Sequence, residues 1–216
     1  MADPDFILET FPVGPLQCNC SIVGDPATGE AVVIDPGDDA PEILTRLKKL
    51  GLRAVTLVHT HAHFDHVGAA RAVSEKTGAG IRLHEKDLFL YENLDMQGRL
   101  FGFSFDPVLP LEGFLVDGAT AGSGRSEVEV LHTPGHTPGS VCFRWRAGTR
   151  EVVFTGDTLF KGSVGRTDLW GGDFEQLRTS IATRLYALSE DATVIPGHGP
   201  ATTIGRERRG NAFVRG

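Results

Sequence analysis

Four side chains of types that bind metals, His61, His63, Asp65 and His66, lie within six consecutive residues, and this segment constrains the fold more than any other. It follows directly on residues 54–58, an apolar and β-branched run that predicts a buried strand. Residues two apart in extended backbone share a side, whereas a turn into a following helix brings the last two ligands to another side. The fold must therefore present ligands at the carboxyl end of a buried strand, where they can serve two neighbouring ions.

Three further candidate ligands recur in the same setting, at or just beyond a predicted strand. They are His136, Asp157 and His198, and each of them directly follows a glycine. Glycine and proline fix such loops and let the backbone come close to an ion. Imidazole and carboxylate suit zinc, iron or manganese, and the absence of cysteine from these loops argues against a closed structural zinc site. We therefore predict an open, catalytic metal site.

Length and charge narrow the class of protein. A chain of 216 residues with 40% hydrophobic residues fills one core and is short for two, so we expect a single domain over residues 1–216. The formal net charge of -7 offers no basic field for phosphates, so we expect no nucleic-acid partner. Residues 1–5 begin no secretory leader, and no run approaches the roughly 20 apolar residues of a membrane span. We expect a soluble cytoplasmic protein without a membrane partner, and monomer and dimer both stay open.

The residues outside the ligand loops receive structural interpretations. The odd number of cysteines argues against a disulfide scaffold, and we expect Cys18 and Cys20 to be unpaired on opposite faces of one strand. Of the other histidines, His59 and His132 are expected to be buried or to support the ligand loops. His84 is expected at the surface.

Hydrophobic periodicity predicts strands before helices in both halves of the chain. Helix caps are expected at Asp38 or Asp39, at Gly51, and in a capping box of Asp173 and Gln176. This order suits an α+β protein in which two sheets pack together with helices outside, an αββα sandwich, although periodicity alone leaves other α/β and α+β folds open. Residues 85–110 show no clean period, so their structure stays open. Strands are predicted over residues 6–11, 18–23, 31–34, 54–58, 79–83, 128–131, 141–145, 152–154 and 193–195, and helices over 41–50, 67–77 and 174–188.

The ordered motifs resemble the five-motif signature of the metallo-β-lactamase superfamily. The resemblance runs from about residue 6 to residue 205, through residues 60–66 and the glycine-preceded ligands. It implies the αββα sandwich and two divalent cations, zinc first, with iron or manganese as alternatives. It also implies that Asp65 and Asp157 are catalytic and that no cysteine ligates, unlike the commonest zinc β-lactamases. The implied ligands are His61, His63 and His136 for one metal, Asp65, His66 and His198 for the other, and Asp157 as the bridge.

Within the superfamily, residues 162–168 and 197–207 resemble the short glyoxalase II-like hydrolases of bacteria. Glyoxalase II hydrolyses S-D-lactoylglutathione, so the resemblance implies a small-molecule thioester substrate, glutathione-derived or related. Full-length enzymes carry a C-terminal helical domain that helps bind glutathione, and about 18 residues follow His198 here. We therefore expect a compact thioesterase without that helical domain.

The rival interpretation is a persulfide dioxygenase, whose family shares the pattern at residues 165–168. Its single iron would be held by His61, His136 and Asp157, a two-histidine, one-carboxylate triad with open positions. The sequence barely separates the two reactions.

Two features near the site each admit two interpretations. Arg166 either steers an anionic substrate or forms an ion pair with Asp168, and we favour the ion pair. Phe101, Phe103 and Phe105 either line the substrate cleft or pack beneath a loop, and we favour packing.

Overall fold

The computed structural model describes residues 6–215, which form two six-stranded sheets and a small hairpin. In the first sheet, strands adjacent in sequence are adjacent in space. Its first three strands are antiparallel and the third to the sixth are parallel. The strands are β1 (Ile7–Val13), β2 (Cys18–Asp25), β3 (Glu30–Ile34), β4 (Arg53–Val58), β5 (Gly80–His84) and β6 (Gly113–Leu115).

The second sheet is assembled from the second half of the chain. Its strands are β7 (Thr120–Ala121), β8 (Val128–His132), β9 (Val141–Ala147) and β10 (Arg150–Gly156), and, after the separate hairpin of β11 (Leu159–Phe160) and β12 (Ser163–Val164), β13 (Thr193–Pro196) and β14 (Thr202–Thr203). The spatial order is β14-β13-β10-β9-β8-β7. Only β10 and β13 pair in parallel, so both of these strands end at the same edge of the sheet.

Helices cover the outer face of each sheet. Residues 85–110, left open by the sequence, begin with a 3₁₀ turn (Glu85–Asp87), form two short helices and then run irregularly. Among residues 6–215, no helix combines the length and apolar character that crossing a bilayer requires. The helices are α1 (Ala40–Leu50), α2 (Phe64–Val67), α3 (Ala70–Thr77), α4 (Leu88–Glu92), α5 (Leu94–Arg99), α6 (Phe174–Ser180) and α7 (Ile204–Gly210).

Strand alternation divides the apolar residues into a core between the sheets and two outer cores under the helices. In the central core, Val32 and Ile34 of β3 pack with Val130 and Phe143 from the second sheet. Their neighbour Val33 points the other way, into the first outer core beneath α1 to α5. Because strand side chains alternate with a period of two, one strand serves two cores.

The second outer core lies between the second sheet and the C-terminal helices. Val153 of β10 and Val194 of β13 pack there with Leu177 of α6 and with Ile181 and Leu185, all buried. Helices and sheets therefore stack in four layers, and the predicted αββα sandwich is confirmed.

Two predicted helices are interrupted. The helix expected over residues 67–77 breaks between α2 and α3, because the N–H of Ala69 donates to the carbonyl of Pro36 (3.0 Å) instead of continuing the helical ladder. The helix expected over residues 174–188 ends as α6 at Ser180 and continues as a π-helical turn, where the N–H of Tyr186 donates to the carbonyl of Ile181 (2.9 Å). Periodicity located both segments and missed these local changes of hydrogen bonding.

The predicted caps hold in part. Gly51 ends α1 in the left-handed region (φ 68), as expected. Asp39 occupies the N-cap position of α1, but its carboxylate accepts from the N–H of Gly14 (2.8 Å) rather than from the helix. Asp173 accepts from the N–H of Gln176 (3.0 Å), whereas the Gln176 side chain returns to the carboxylate, so only half of the capping box forms.

The expectation that Cys18 and Cys20 face opposite sides of β2 is wrong. Residues two apart in a strand share a face, and both thiols are buried in the first outer core. All three cysteines are free thiols, which agrees with the expected absence of a disulfide.

We expect Phe143→Ala to lower the free energy of unfolding by about 3–5 kcal/mol, because it opens a cavity between the two sheets. Urea denaturation followed by circular dichroism measures the change. Phe213→Ala is the control, since this phenyl ring is 53% exposed and its loss should leave stability nearly unchanged. Equal losses in the two variants would contradict a close-packed central core.

Candidate metal centre

Seven side chains converge at one edge of the sandwich, where β4, β10 and β13 end. The segment after β4 supplies four of them, the loop between β8 and β9 supplies His136, and Asp157 and His198 follow β10 and β13. Both sheets therefore contribute to one cluster. Its members are the seven residues expected from the sequence: His61, His63, Asp65, His66, His136, Asp157 and His198.

His61, His63 and His136 form a three-histidine group. The Nε2 of His61, the Nδ1 of His63 and the Nε2 of His136 lie 3.0–3.2 Å from one another. Three nitrogens on one face of a tetrahedral zinc site, with Zn–N of about 2.0–2.1 Å, would lie about 3.3–3.4 Å apart. The three nitrogens therefore fit one small cation with little movement.

Asp65, His66 and His198 form a second group, the Asp65 group. The Nε2 of His198 lies 3.1 Å from the Oδ2 of Asp65 and 3.3 Å from the Nε2 of His66. The Nε2 of His66 lies 3.8 Å from the same Asp65 oxygen. Two nitrogens and a carboxylate oxygen thus face a common point beside the three-histidine group.

Asp157 lies between the two groups. Its Oδ1 is 3.4 Å from the Nε2 of His66, and its Oδ2 is 3.8 Å from the Nε2 of His136. The Oδ1 is buried and has no hydrogen-bond partner in the described part of the chain. A buried carboxylate oxygen without a donor is costly, and a cation is a partner that removes this cost. The donor set fits two cations with Asp157 shared.

Hydrogen bonds on the outer ring nitrogens orient the imidazoles. Carbonyl groups only accept, so His136 and His198 each carry a proton on Nδ1, and Nε2 is the ring nitrogen that each can offer to a cation. Such outer partners fix the tautomer and the ring orientation of metal ligands. The bonds run from the Nδ1 of His136 to the carbonyl of Arg166 (2.7 Å), from the Nδ1 of His198 to that of Leu16 (3.0 Å), and from the Nδ1 of His66 to the Oδ2 of Asp35 (3.0 Å).

Asp35 is a supporting residue that sequence reasoning did not assign to the site. It is buried, in the left-handed region (φ 50), and accepts from both the N–H and the hydroxyl of Thr60 (2.7 Å each). The Thr60 hydroxyl lies 3.1 Å from the Nδ1 of His61, so one carboxylate supports two imidazoles. The available signal was an acidic residue directly after β3, the parallel neighbour of β4.

Cys18 also lies close to the cluster, although no ligand loop contains a cysteine. Its Sγ is 3.6 Å from the Nδ1 of His66, the nitrogen that faces away from the other ligands. Burial raises the pKa of the Cys18 thiol to about 12, so it stays protonated near neutral pH. The thiol therefore packs behind His66 and offers no thiolate ligand.

Local electrostatics keep His61, His63 and Asp157 in forms that bind cations. Burial, reinforced by the neighbouring His136, lowers the pKa of His63 to about 3, and burial with His66 holds the pKa of His61 well below its ordinary value. Burial alone would raise the pKa of Asp157, but the surrounding imidazoles outweigh it and lower that pKa. At neutral pH these three groups are two neutral imidazoles and an ionised carboxylate. Neighbouring acidic groups outweigh burial at His66 and His198 and raise the pKa of both.

The other histidines lie outside the cluster. His59 is fully buried and its Nδ1 lies 3.0 Å from the carbonyl of His66, so it supports the ligand segment as expected. His132 bonds the carbonyl of Pro138 (3.0 Å) and supports the loop that carries His136. His84 is half-buried rather than superficial, because its ring stacks on that of His132 with centroids 4.2 Å apart.

The favoured interpretations agree with the structure for the ion pair and for two of the three phenylalanines. Phe101 is 50% exposed, and its ring stacks on that of Phe64 with centroids 5.2 Å apart. Arg166 and Asp168 form an exposed two-bond ion pair (2.7 and 2.9 Å). Phe103 and Phe105 pack against the first outer core and contact the ring of Phe64. These two phenyl rings also line a cleft beside Asp65, so they serve both packing and the cleft wall.

The chain belongs to the metallo-beta-lactamase superfamily, whose family profile matches residues 13–198. It is a metallo-hydrolase of this superfamily, and the expected resemblance is confirmed. It is 42% identical over 209 residues to hydroxyacylglutathione hydrolase GloC of Haemophilus influenzae, covering 96% of this chain and 97% of that protein.

Two crystal structures are similar over nearly the whole chain. BLEG-1 B3 metallo-beta-lactamase has a TM-score of 0.88 and 38% identity, covering 97% of this chain and 100% of that one. TTHA1623 in a di-iron-bound form has a TM-score of 0.84 and 42% identity, covering 94% and 98%. These similarities agree with the four-layer fold described above.

Gly197 lies so close to the cluster that it accommodates no side chain. A Cβ there would lie 2.3 Å from the Oδ1 of Asp157 and 2.7 Å from the Cε1 of His66. We expect Gly197→Ala to displace Asp157 and His66 and to weaken metal binding by about 10–100-fold, the loss typical of disturbed ligand positioning. Metal bound per chain after dialysis against a chelator measures it.

Gly210→Ala is the matched control, because an added Cβ there meets no atom within 4 Å. It should retain the metal content of the unaltered protein. Full metal occupancy in Gly197→Ala would show that the cluster does not require this close approach.

Proposed function

We propose that the chain is a thioesterase of the glyoxalase II type, which hydrolyses S-D-lactoylglutathione or a related acyl-thiol to an acid and a thiol. The observation that carries the proposal is the pair of ligand groups that share Asp157, each lacking thiolate. The 42% identity to hydroxyacylglutathione hydrolase GloC, over nearly the full length of both chains, supports the substrate class.

The cofactors we propose are two divalent cations, zinc first, with iron or manganese as alternatives. The three-histidine group would hold one and the Asp65 group the other, with Asp157 contributing to both. When bound, such cations polarise a carbonyl and lower the pKa of nearby water. The di-iron form of TTHA1623, 42% identical to this chain, keeps iron among the candidates.

Asp65 and Asp157 have different roles in this proposal. Asp157 is enclosed by imidazoles of both groups, so its task is to hold them in fixed relation. Asp65 lines the cleft beside the cluster, so it can accept a hydrogen bond from the attacking water and orient it. The thiol that hydrolysis of a thioester releases has a pKa of about 8.5, so it leaves as thiolate with little need of a general acid.

In this proposal the acyl group packs at the mouth of the apolar cleft beside Asp65. Most of the apolar wall of this cleft is formed by Val13, Leu16, Phe64, Phe103 and Phe105. The rest of the lining consists of two glycines, a proline and two aspartates. Apolar walls exclude bulk water from the reacting carbonyl and strengthen the electrostatic interactions there. Substrate selection in this proposal depends on packing of the acyl part against the aromatic wall.

Two other reactions compete at the same site. A persulfide dioxygenase needs one iron on His61, His136 and Asp157, and it gives no role to the complete Asp65 group. The 38% identity to BLEG-1 B3 metallo-beta-lactamase makes β-lactam hydrolysis the second candidate, because that reaction would use the same ligands. The three reactions consume different substrates, so a substrate assay distinguishes them.

We expect purified protein with two cations per chain to hydrolyse S-D-lactoylglutathione faster than a β-lactam. Elemental analysis measures the metal content, release of free thiol measures hydrolysis of the thioester, and the loss of ultraviolet absorbance on ring opening measures hydrolysis of the β-lactam, all on one sample. One iron per chain with oxygen uptake on glutathione persulfide would replace the proposal with the dioxygenase. Faster turnover of the β-lactam would replace it with the second candidate.

We expect Asp157→Asn to lose one or both cations and to reduce turnover by on the order of 100-fold or more. This loss exceeds the one typical of residues that only hydrogen-bond to metal ligands. An amide cannot supply two anionic oxygens to two cations. Asp173→Asn is the control, since asparagine caps α6 as well as aspartate does. Unaltered turnover in Asp157→Asn with both cations bound would exclude the bridging role.

A further inference from the structure

Asp87 is a fully buried carboxylate outside the seven-residue cluster, at the end of the 3₁₀ turn after β5. Its Oδ2 accepts hydrogen bonds from the N–H of Ala62 (3.1 Å) and the hydroxyl of Thr137 (2.7 Å). Its Oδ1 accepts from the N–H of Gly139 (2.6 Å). One carboxylate thus joins the segment after β4 to the loop between β8 and β9, the two sources of the three-histidine group.

Ala62, the residue between His61 and His63, is held from both sides. Asp87 binds its N–H, and the Nε2 of the fully buried Gln97 donates to its carbonyl (3.0 Å) and to a backbone carbonyl of α4 (2.7 Å). The peptide bonds that connect Ala62 to each histidine are therefore both fixed. With them the separation of the two imidazoles is fixed.

The Asp87 carboxylate directly contacts the backbone of the loop between β8 and β9. A Cβ at residue 139 would lie 2.6 Å from the Cγ of Asp87, so only Gly139 permits the contact. A buried carboxylate is costly unless donors satisfy it, and these three donors do so only while both loops stay in place. Separation of the loops would leave a buried charge without partners.

We propose that Asp87 is a positioning residue of the metal centre, which together with Gln97 sets the spacing of His61, His63 and His136. The role rests on the metal centre proposed above and goes beyond it. Cation affinity would depend on a carboxylate that touches neither a cation nor a ligand side chain.

Asp87→Asn tests this role sharply. The N–H groups of Ala62 and Gly139 bind different oxygens, so the new amide NH₂ must oppose a backbone N–H in either orientation. We expect zinc affinity to fall by about 10–100-fold, measured on metal-free protein by competition with a chromophoric chelator. We also expect the absorption spectrum of the cobalt-substituted variant to change, because the three nitrogens no longer keep their spacing.

Two further variants separate positioning from general stability. Leu47→Ala opens a cavity in the first outer core beneath α1, so it lowers stability while zinc affinity and the cobalt spectrum should stay unaltered. Gln97→Leu removes the donor to Ala62 and, with it, the unpartnered Oε1 of Gln97. The Gln97→Leu variant should remain folded and lower zinc affinity by about 2- to 10-fold, the effect of one hydrogen bond. It tests the positioning role even where Asp87→Asn does not fold.

Unaltered zinc affinity and cobalt spectra in Asp87→Asn and Gln97→Leu would overturn the positioning role. An equal loss of zinc from Leu47→Ala, at a matched loss of metal-free stability, would overturn it as well. Failure of the unaltered protein to bind zinc or cobalt would instead overturn the metal centre itself, and the role of Asp87 with it.

Discussion

The packing of the two sheets through the central core sets the distances across the metal centre, because the ligands come from both sheets. His61 follows a strand of the first sheet, whereas His136 and Asp157 come from the second. Hydrogen bonds between the sheets fix this arrangement at the site: the N–H of Val141 donates to the carbonyl of Thr60 (2.7 Å), and the N–H of Asn19 donates to that of Gly197 (2.7 Å). Burial of apolar side chains drives the two sheets together, and these hydrogen bonds fix the position of one sheet relative to the other.

Backbone N–H groups and hydroxyls hold the buried carboxylates around the centre, and Asp35 also accepts from the Nδ1 of His66. Asp35 accepts from the N–H and hydroxyl of Thr60, and Asp87 accepts from two backbone N–H groups and a hydroxyl. Glu207 of α7 likewise accepts from the N–H of Gly162, in the turn of the hairpin that follows Asp157. Donors fixed in the backbone hold loops in one position, because each separation would leave a charge unpartnered in a low-dielectric interior.

The sequence pattern predicts the layer architecture and the seven residues that meet at one edge of the sandwich, and its errors are local. It missed the break at Ala69 and the π-helical turn after Ser180, because both depend on which carbonyl an N–H reaches and periodicity does not record this. It placed Cys18 and Cys20 on opposite faces, although the period of two already puts them on one face. It left residues 85–110 open, and this region supplies Asp87 and Gln97.

The sequence by itself determined the ligand types, their grouping after strands and the order of layers, since spacing and hydrophobic alternation are local properties that the chain states directly. Only the tertiary structure decided which oxygen orients each imidazole. Asp35 reaches His66 across 31 positions and Asp87 reaches Thr137 across 50, and local spacing does not specify contacts at such separations. They form because sheet packing brings distant strand ends to one edge, where buried polar groups must find partners.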